Sequence, residues 1–537
     1  VCLLLLIGCL NVSTLLMARG TKRQYELAVR AAMGAARSRV VRQLLTESLM
    51  LAVIGEALGI ALAYATQRLL IQELPSYLTA RAASIYINLP VLSFSIVVTL
   101  LTVLAFGLLP ALQFSRRDLR QTMQIGMQKI AGGWGKQTRN ALIAGQIALS
   151  LMLLAAAATS IRAFLHLMHT DLGYDPHNTI ALGIPVHQNS YTTWEARSAY
   201  FERLQQKISS TPDVTAATVS VGAVPPSNGW NTPFEILGQT VLGDQQLRAN
   251  FVGPEYFGLL EIPLLSGRIW SRTETMRPAH VAVINQSMAR EYWPNGDAIG
   301  RQIRLPKLVS TDSFNLSGPG SNDWMEIVGV VADSLNDGLQ NPVKPATYLP
   351  YTFLLPMRAQ ILVRARTNPL SLLRTFRTQV QSVDSEQQIM NNASLLEEWI
   401  IQQDDWQREH MVAILFGAFS AFTLLLAGLG LYSVVSYTVA QRTSEFALRM
   451  ALGAQRKDVL LNVLFSTIGV VAAGVAAGTG GYMLVKRIVA QWAYAPKDDP
   501  LTLFVVTPVL IMVAALACYV PARRAMSLDP MTALRYE

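Results

Sequence analysis

The sequence predicts a polytopic α-helical membrane protein with an α+β extracytoplasmic domain, and three observations carry that prediction. Of 537 residues, 51% are apolar and only 15% charged, against roughly 25% charged residues in an ordinary soluble domain. The apolar residues gather in long runs nearly free of charge, whereas the middle of the chain reads like a water-soluble fold. The formal charge of +9 is also divided by region: residues 161–409 hold 19 Lys/Arg and 24 Asp/Glu, and everything outside them holds 25 and 11. Positive charge placed between apolar runs orients membrane helices, so lipid rather than nucleic acid is the expected surroundings.

A helix needs about 20 residues to cross a hydrocarbon core of about 30 Å. Seven stretches qualify: 1–17, 43–67, 88–114, 140–161, 411–440, 459–485 and 501–520. The second is interrupted by Glu47 and Glu56. Segments 18–42 and 115–139 carry seven and six Lys/Arg, and segment 441–458 carries four, whereas connections 69–87 and 488–500 carry one each. The bias toward positive charge on the cytoplasmic side places the basic segments inside, residues 161–409 outside and Glu537 inside. Val1 falls within an apolar stretch with no charged flank, which reads as a cut through a membrane helix rather than a signal peptide. Cys2, Cys9 and Cys518 all lie in apolar runs, so no disulfide framework or Cys-based metal site is expected.

The chain repeats itself. Residues 26–35 (ELAVRAAMGA) and 445–454 (EFALRMALGA) are identical at six of ten positions, including Glu26/Glu445, Arg30/Arg449, Gly34/Gly453 and Ala35/Ala454, at a constant offset of 419. The same offset pairs Arg23 with Arg442, Val40 with Val459, and Gly55 and Gly59 with Gly474 and Gly478. A second offset of 411 pairs Pro110, Ala111 and Asp118 with Pro521, Ala522 and Asp529. Two copies of a three-helix unit therefore share one membrane orientation, as when a dimer is fused into one chain around an axis along the membrane normal. The second copy is preceded by one more helix and the outer domain. By symmetry the first should have both, and the natural protein is expected to be longer at its N-terminus.

In each copy Glu and Arg stand four apart, Glu26 with Arg30 and Glu445 with Arg449, which on a helix puts them on one face, able to pair for a few tenths of a kcal/mol. Gly34 and Gly453 then break the helix or permit close approach. A short amphipathic helix under the membrane is a lever: a partner pushing on it moves both attached spans. Positive-inside topology requires charge but not this repeated order. The GxxxG pairs, Gly55/Gly59 and Gly474/Gly478, predict close helix packing, since a missing side chain lets backbones approach in lipid. Glu47 and Glu56 are nine residues apart, about 13.5 Å along a helix. Intramembrane carboxylates are costly and often functional, leaving open structural pairing or a proton pathway. Their second-copy counterparts are Ser466 and Val475.

In the outer region, 178–185, 214–221, 279–286, 326–333 and 359–366 read as short strands. Trp194–Ser209, Gln286–Tyr292 and Leu370–Val383 read as helices between them. The alternation predicts α+β structure in two or more small lobes. Tyr256, Phe257, Leu259, Ile262 and Leu264 are expected in the core, Gly267-Arg268 in a turn, and residues 310–323 in a mobile loop. The nearest approach to a phosphate-binding GxxxxGK[ST] loop, Gly135-Lys136, has Ile130 at the first position and Gln137 after the lysine, so it fails at both. His166 and His169 lack a companion carboxylate motif, and no GxSxG occurs. No catalytic, metal or cofactor site is expected.

The E-x-A-x-R-x-A-x-G-A segments resemble the coupling region of MacB/FtsX-type ABC transporter permeases. The outer stretches YFGLLEIPLLSGRIW (256–270), VAVINQSMAREYWPNGDAIGRQIRL (281–305) and MEIVGVVADS (325–334) resemble that family's periplasmic domain in content and order. The doubled unit resembles its acidobacterial duplicated orphan permease branch. The resemblance implies a first FtsX-like unit over 1–125, a cytoplasmic linker and fourth span over 126–160, a MacB-like periplasmic domain over 161–409 and a second FtsX-like unit over 410–537. It also implies a bacterial inner-membrane permease without its own ATPase, worked by a cytoplasmic ABC ATPase through Glu26, Arg30, Gly34, Ala35, Glu445, Arg449, Gly453 and Ala454. The outer domain would meet a periplasmic or envelope partner. Two other readings of the residues remain: a proton-coupled secondary transporter using Glu56, or a membrane receptor that does not transport.

Overall fold

The computed structural model describes residues 2–22, 37–72, 87–116, 134–187, 189–239, 245–277, 279–296, 298–307, 314–390, 393–441, 455–493 and 501–526. The chain divides into two compact units, Val1–Leu165 with Arg408–Glu537, and His166–Gln407.

The first unit is built from long helices: α1 (Cys2–Lys22), α2 (Arg37–Gln72), α3 (Leu89–Arg116), α4 (Trp134–Met168), α5 (Asp404–Gln441), α6 (Arg456–Ala493) and α7 (Leu501–Met526). A helix satisfies its own backbone groups, which makes it one of the two structures able to cross lipid. Five of these helices carry stretches long and apolar enough to span: Leu45–Gln67, Arg139–Met168, Asp404–Val439, Ile468–Lys486 and Leu501–Pro521. In α1 and α3 the apolar stretches among the described residues are shorter than the expected spans, at Cys2–Thr14 and Leu89–Leu104. Pro508 and Pro521 lie inside α7, where neighbouring helices can compensate the lost backbone bonds.

Burial is uneven among these helices. More than half of the spanning window of α4 is buried, against none of that of α2. Ile143, Ile147, Leu151 and Leu154 of α4 pack into one cluster with Ala427, Leu431, Val434 and Val435 of α5 and with Val506, Leu510 and Ala514 of α7. Val471 and Val475 of α6 close it. The helix that precedes the second copy thus sits in the middle of that copy's three helices.

The second unit is organised by one twelve-stranded mixed sheet. Its path runs Ser394–Leu395, Thr179–Pro185, Arg358–Ala365, Val214–Val221, Gln246–Val252, Ala346–Pro350, Val281–Asn285, Met325–Val331, Gln302–Arg304 and Glu235–Ile236. Trp230–Pro233 pairs with Gln246–Val252, and Leu264–Gly267 with Met325–Val331. Two neighbouring pairs are parallel, 325–331 with 281–285 and 346–350 with 246–252. Successive side chains point to opposite faces: Ile180, Leu182 and Ile184 join one core with Tyr200, Phe201, Phe376 and Val380 of the helices Trp194–Ser209 and Leu373–Val383. Ala181 and Leu362 turn the other way, toward Tyr256, Phe257, Trp270 and Tyr348. The expected lobes are therefore continuous through their strands, because strands with weak sequence signals, such as 246–252 and 346–350, bridge them.

Two local expectations change. Residues 308–313 lie outside the described residues, but the rest of the expected mobile loop is ordered by pairing: Asn315–Ser317 forms a strand with Leu354–Pro356. The Ser321 hydroxyl, buried, lies 2.6 Å from the Gly318 carbonyl and 3.0 Å from that of Phe353. The fully buried Arg197 guanidinium donates to the carbonyls of Tyr191 (3.1 Å) and Leu355 (2.8 Å), tying this edge to helix Trp194–Ser209. Tyr256, Phe257, Leu259 and Ile262 are buried, whereas Leu264 is 43% exposed because its strand lies at the sheet edge. Gly267 has φ +76°, and a Cβ there would stand 2.2 Å from the Val328 carbonyl oxygen, so glycine is required.

Candidate functional site

Glu26, Arg30, Gly34 and Ala35 of the first copy, and Glu445, Arg449, Gly453 and Ala454 of the second, lie outside the described residues. Their places in the chain are the connections from α1 to α2 and from α5 to α6. What the structure describes is how those helices are held.

In the second copy the glycines of α6 form a seam with α4. A Cβ on Gly474 would stand 2.8 Å from both the Ala144 carbonyl oxygen and Ile147 Cβ. One on Gly478 would stand 2.8 Å from the Ala148 carbonyl oxygen and 3.0 Å from Leu151 Cβ. Gly481 continues the seam, with Met152 Sδ 2.8 Å from its would-be Cβ. Beyond the glycines, the hydroxyls of Thr159 and Tyr482 lie 3.0 Å apart. Partner positions rise together along both helices, so α4 and α6 run parallel. Gly481 and the Ala144/Ala148 pair were not anticipated from sequence; the signal was there in the four-residue spacing of small residues on α4, the usual device for close packing in lipid.

A polar node joins α1 and α4 to α5. Asn11 Nδ2 and Gln146 Nε2 both donate to the Leu426 carbonyl, at 2.9 and 3.0 Å. Access depends on Gly430, one turn further along α5, whose would-be Cβ lies 2.2 Å from Asn11 Oδ1 and 2.6 Å from Gln146 Nε2. Asn11 and Gly430 are equivalent positions at offset 419, so the two copies meet at matching points.

The first copy differs. Among the described residues, nothing stands within 4 Å of where a Cβ on Gly55 or Gly59 would lie. They line a cavity of ≈ 660 Å³ with Val12 of α1, Ala52 and Glu56 of α2, and Ser95 and Thr99 of α3. Glu56 Oε2 accepts from the Thr99 hydroxyl at 2.6 Å, while Oε1 is buried with no hydrogen-bond partner among the described residues. Glu47 Oε1 accepts from Gln43 Nε2 at 3.2 Å, one turn earlier on the same helix.

The outer unit has an ionic clasp that sequence reading did not anticipate. Arg364, on the strand Arg358–Ala365, pairs with Asp175 and, at 2.7 Å, with Glu261. His177 Nδ1 lies 2.6 Å from Asp175 Oδ1, and its Nε2 lies 3.5 Å from Glu397 Oε1. Asp175 and His177 belong to the loop entering the sheet, and Glu397 to the helix Leu396–Ile401 that leaves it. Burial opposes ionisation of Asp175, but the His177 backbone N–H and ring, with the Arg364 charge, outweigh it and hold the carboxyl below its ordinary range. The hydrogen bond to Asp175 raises the His177 pKa. Charges contributed by four separate stretches of chain have no sequence signature.

The FtsX-like permease C-terminal family matches residues 1–119 and 417–530, and the MacB-like periplasmic core domain matches residues 141–389. The macrolide export ATP-binding/permease protein MacB of Azoarcus sp. (strain BH72) is 28% identical over 305 residues, 55% of this chain and 43% of that protein. The pyoverdine export ATP-binding/permease protein PvdT of Pseudomonas savastanoi pv. phaseolicola is 25% identical over 287 residues, 51% of this chain and 40% of that protein. The chain thus spans less than half the length of these curated relatives. The crystal structure of the periplasmic region of MacB from Actinobacillus actinomycetemcomitans covers 43% of this chain and 95% of its own, at 12% identity and a TM-score of 0.28.

Proposed function

The chain belongs to the MacB/FtsX-type ABC transporter permeases, and from that premise we propose that it is the permease subunit of a mechanotransmission system in the bacterial inner membrane. A separate cytoplasmic ATPase engages the two repeated segments around Glu26-Arg30-Gly34 and Glu445-Arg449-Gly453. Nucleotide-driven closure shifts the helices attached to them, and the outer domain changes posture to act on an extracytoplasmic substrate or an envelope partner. The work is efflux of the kind named for the relatives, or the handling of lipoproteins and other envelope substrates.

The observation that carries this reading is the repetition of Glu, Arg and Gly-Ala in matching order, 419 residues apart, at the two connections between membrane helices. The seam supports it. With Gly474 and Gly478 seated on α4, a push on α6 cannot slide past its neighbour without breaking close packing. The helices that flank the outer domain in the chain, α4 and α5, would carry the displacement onward. A proton pathway through Glu56 is disfavoured, because Glu56 is the only titratable residue lining its cavity among the described residues and its repeat counterpart is Val475.

The test is charge reversal. Glu26→Lys combined with Glu445→Lys should abolish stimulation of the ATPase that copurifies with the intact protein from its native membrane, while leaving membrane insertion intact. Full stimulation in that variant would refute the coupling assignment.

A further inference from the structure

The outer unit is tied to its two connecting stretches, residues 169–178 after α4 and 396–405 leading into α5, at two separate places. The first is covalent and lies at one edge of the sheet, where Ser394–Leu395 and Thr179–Pro185 are the first two strands of the path. The second is the loop that follows Met325–Val331, well along that path. The Leu335 N–H donates to the Leu172 carbonyl at 2.9 Å, and Gly173, at φ +72°, leaves no room for a side chain against Asp333. On the other stretch, Asp405 Oδ2 lies 2.7 Å from where a Cβ on Gly338 would stand. The Gly338 N–H donates to the Pro226 carbonyl at 3.1 Å, and the neighbouring Ser227 hydroxyl donates to Gln403 Oε1 at 2.9 Å. One loop thus reaches both stretches.

The loop is held firmly at its other end. Asn336 accepts from the Lys344 N–H at 2.9 Å and donates to the Lys344 carbonyl at 2.8 Å, closing residues 336–344 into a compact loop whose ends meet. Asp337 pairs with Arg248 of the strand Gln246–Val252 and, at 2.8 Å, with Lys344. The Asp333 carboxylate accepts from the Ser287 N–H and hydroxyl, both at 2.8 Å, just past the strand Val281–Asn285. These anchors all lie beyond a narrow point in the sheet. Thr179–Pro185 is in register with Arg358–Arg364 along its whole length, whereas Val214–Val221 meets Gln246–Val252 only at Ser220 with Val252 and Val221 with Phe251. Side-chain packing continues across this junction, so the strands on either side of it can tilt but not part.

We propose that residues 333–344 are a strut that makes the two connecting stretches and the far strands of the sheet move as one body. Without it, a displacement of those stretches would reach the far strands through the Ser220–Val221 junction and side-chain packing alone. Small tilts of packed elements are the usual form of such motion. The strut is a property of the outer unit's own fold; only its displacement by nucleotide rests on the function proposed above.

Distances between spin labels on the intact protein in lipid nanodiscs, with Cys2, Cys9 and Cys518 replaced by serine, test the strut. Gln402→Cys marks the stretch before α5, Lys207→Cys the strands near the entry edge and Glu291→Cys the far strands; all three positions are exposed. Leu335→Pro removes the N–H that bonds Leu172, and Gly338→Leu displaces Asp405. Together they should broaden the Gln402–Glu291 distance distribution and leave the Gln402–Lys207 distribution as narrow as in the parent. An unchanged Gln402–Glu291 distribution would overturn the proposal. If both distributions broaden, Leu335→Pro alone decides by the same comparison, and broadening of both again, or of neither, would overturn it. With the copurifying ATPase and trapped nucleotide, the Gln402–Glu291 distance should stay constant in the parent and shift in the variant. A shift in the parent would contradict a rigid strut. No shift in either protein, beside a broadened resting distribution in the variant, would leave the strut standing and count against nucleotide-driven displacement.

Discussion

Gly478 meets Ala148 at a distance that leaves no room for a side chain: a Cβ on Gly478 would stand 2.8 Å from the Ala148 carbonyl oxygen and 2.9 Å from its Cα. Backbone atoms cannot yield as the end of a flexible side chain can. Gly478→Leu should therefore separate α6 from α4 and destabilise the membrane unit by about 1–3 kcal/mol, the usual cost of overpacking. Gly480, two residues on and with nothing among the described residues within 4 Å of its would-be Cβ, is the control. Gly480→Ala should be neutral or gain up to about 1 kcal/mol from helix propensity. Thermal unfolding of the detergent-purified protein would distinguish the two.

Asn11 and Gln146 share one acceptor, the Leu426 carbonyl. Removing either donor leaves the other in place, so Gln146→Leu alone should cost only about 0.6 kcal/mol, typical of an interhelical hydrogen bond in a membrane protein. Combining it with Asn11→Leu should not be additive, because groups that share a partner are coupled. A double-mutant cycle by thermal unfolding gives the coupling energy; strict additivity would mean that the two amides act independently.

Arg364 is the cation between Asp175 and Glu261, with its side chain only 14% exposed. Arg364→Ala would remove the guanidinium that both carboxylates share, leaving only the largely exposed His177 beside Asp175. The expected loss is about 1–3 kcal/mol, the cost of unsatisfied polar groups. Arg364→Lys should recover part of it, since an ammonium restores the charge but not the two-pronged geometry. Urea unfolding of the intact protein, followed through a probe in the outer domain, measures both.

His177 gives this region a pH dependence with a definite sign. Its folded pKa is raised above 6.5 by Asp175, so the stabilisation is complete below that unfolded value and disappears as pH rises through the folded one. His177→Gln should lower the melting temperature at pH 5.5 and have no effect at pH 9. The ring is largely exposed, which limits the contribution to about 0.5 kcal/mol. A difference between the two proteins that grows toward alkaline pH would contradict the assignment.

The class of the protein was legible in residue order alone. Long uncharged runs can be stable only in lipid, clustered Lys/Arg sets their direction, and a segment repeated at offset 419 exposes the duplication whatever its conformation. Five outer strands were likewise visible because each is a short β-branched or apolar run, as at Val214–Val221 and Val281–Asn285. Sequence could not show that these strands join one twelve-stranded sheet, since the bridging pairs, 246–252 with 346–350 among them, depend on long-range register. Nor could it separate the glycine pairs. Gly55/Gly59 and Gly474/Gly478 are identical as patterns, yet among the described residues nothing stands against the first pair and the second lies against Ala144, Ala148 and Leu151. A motif records that close approach is permitted. Only the tertiary structure decides whether a backbone is there to make it, because that depends on which helix packs beside it.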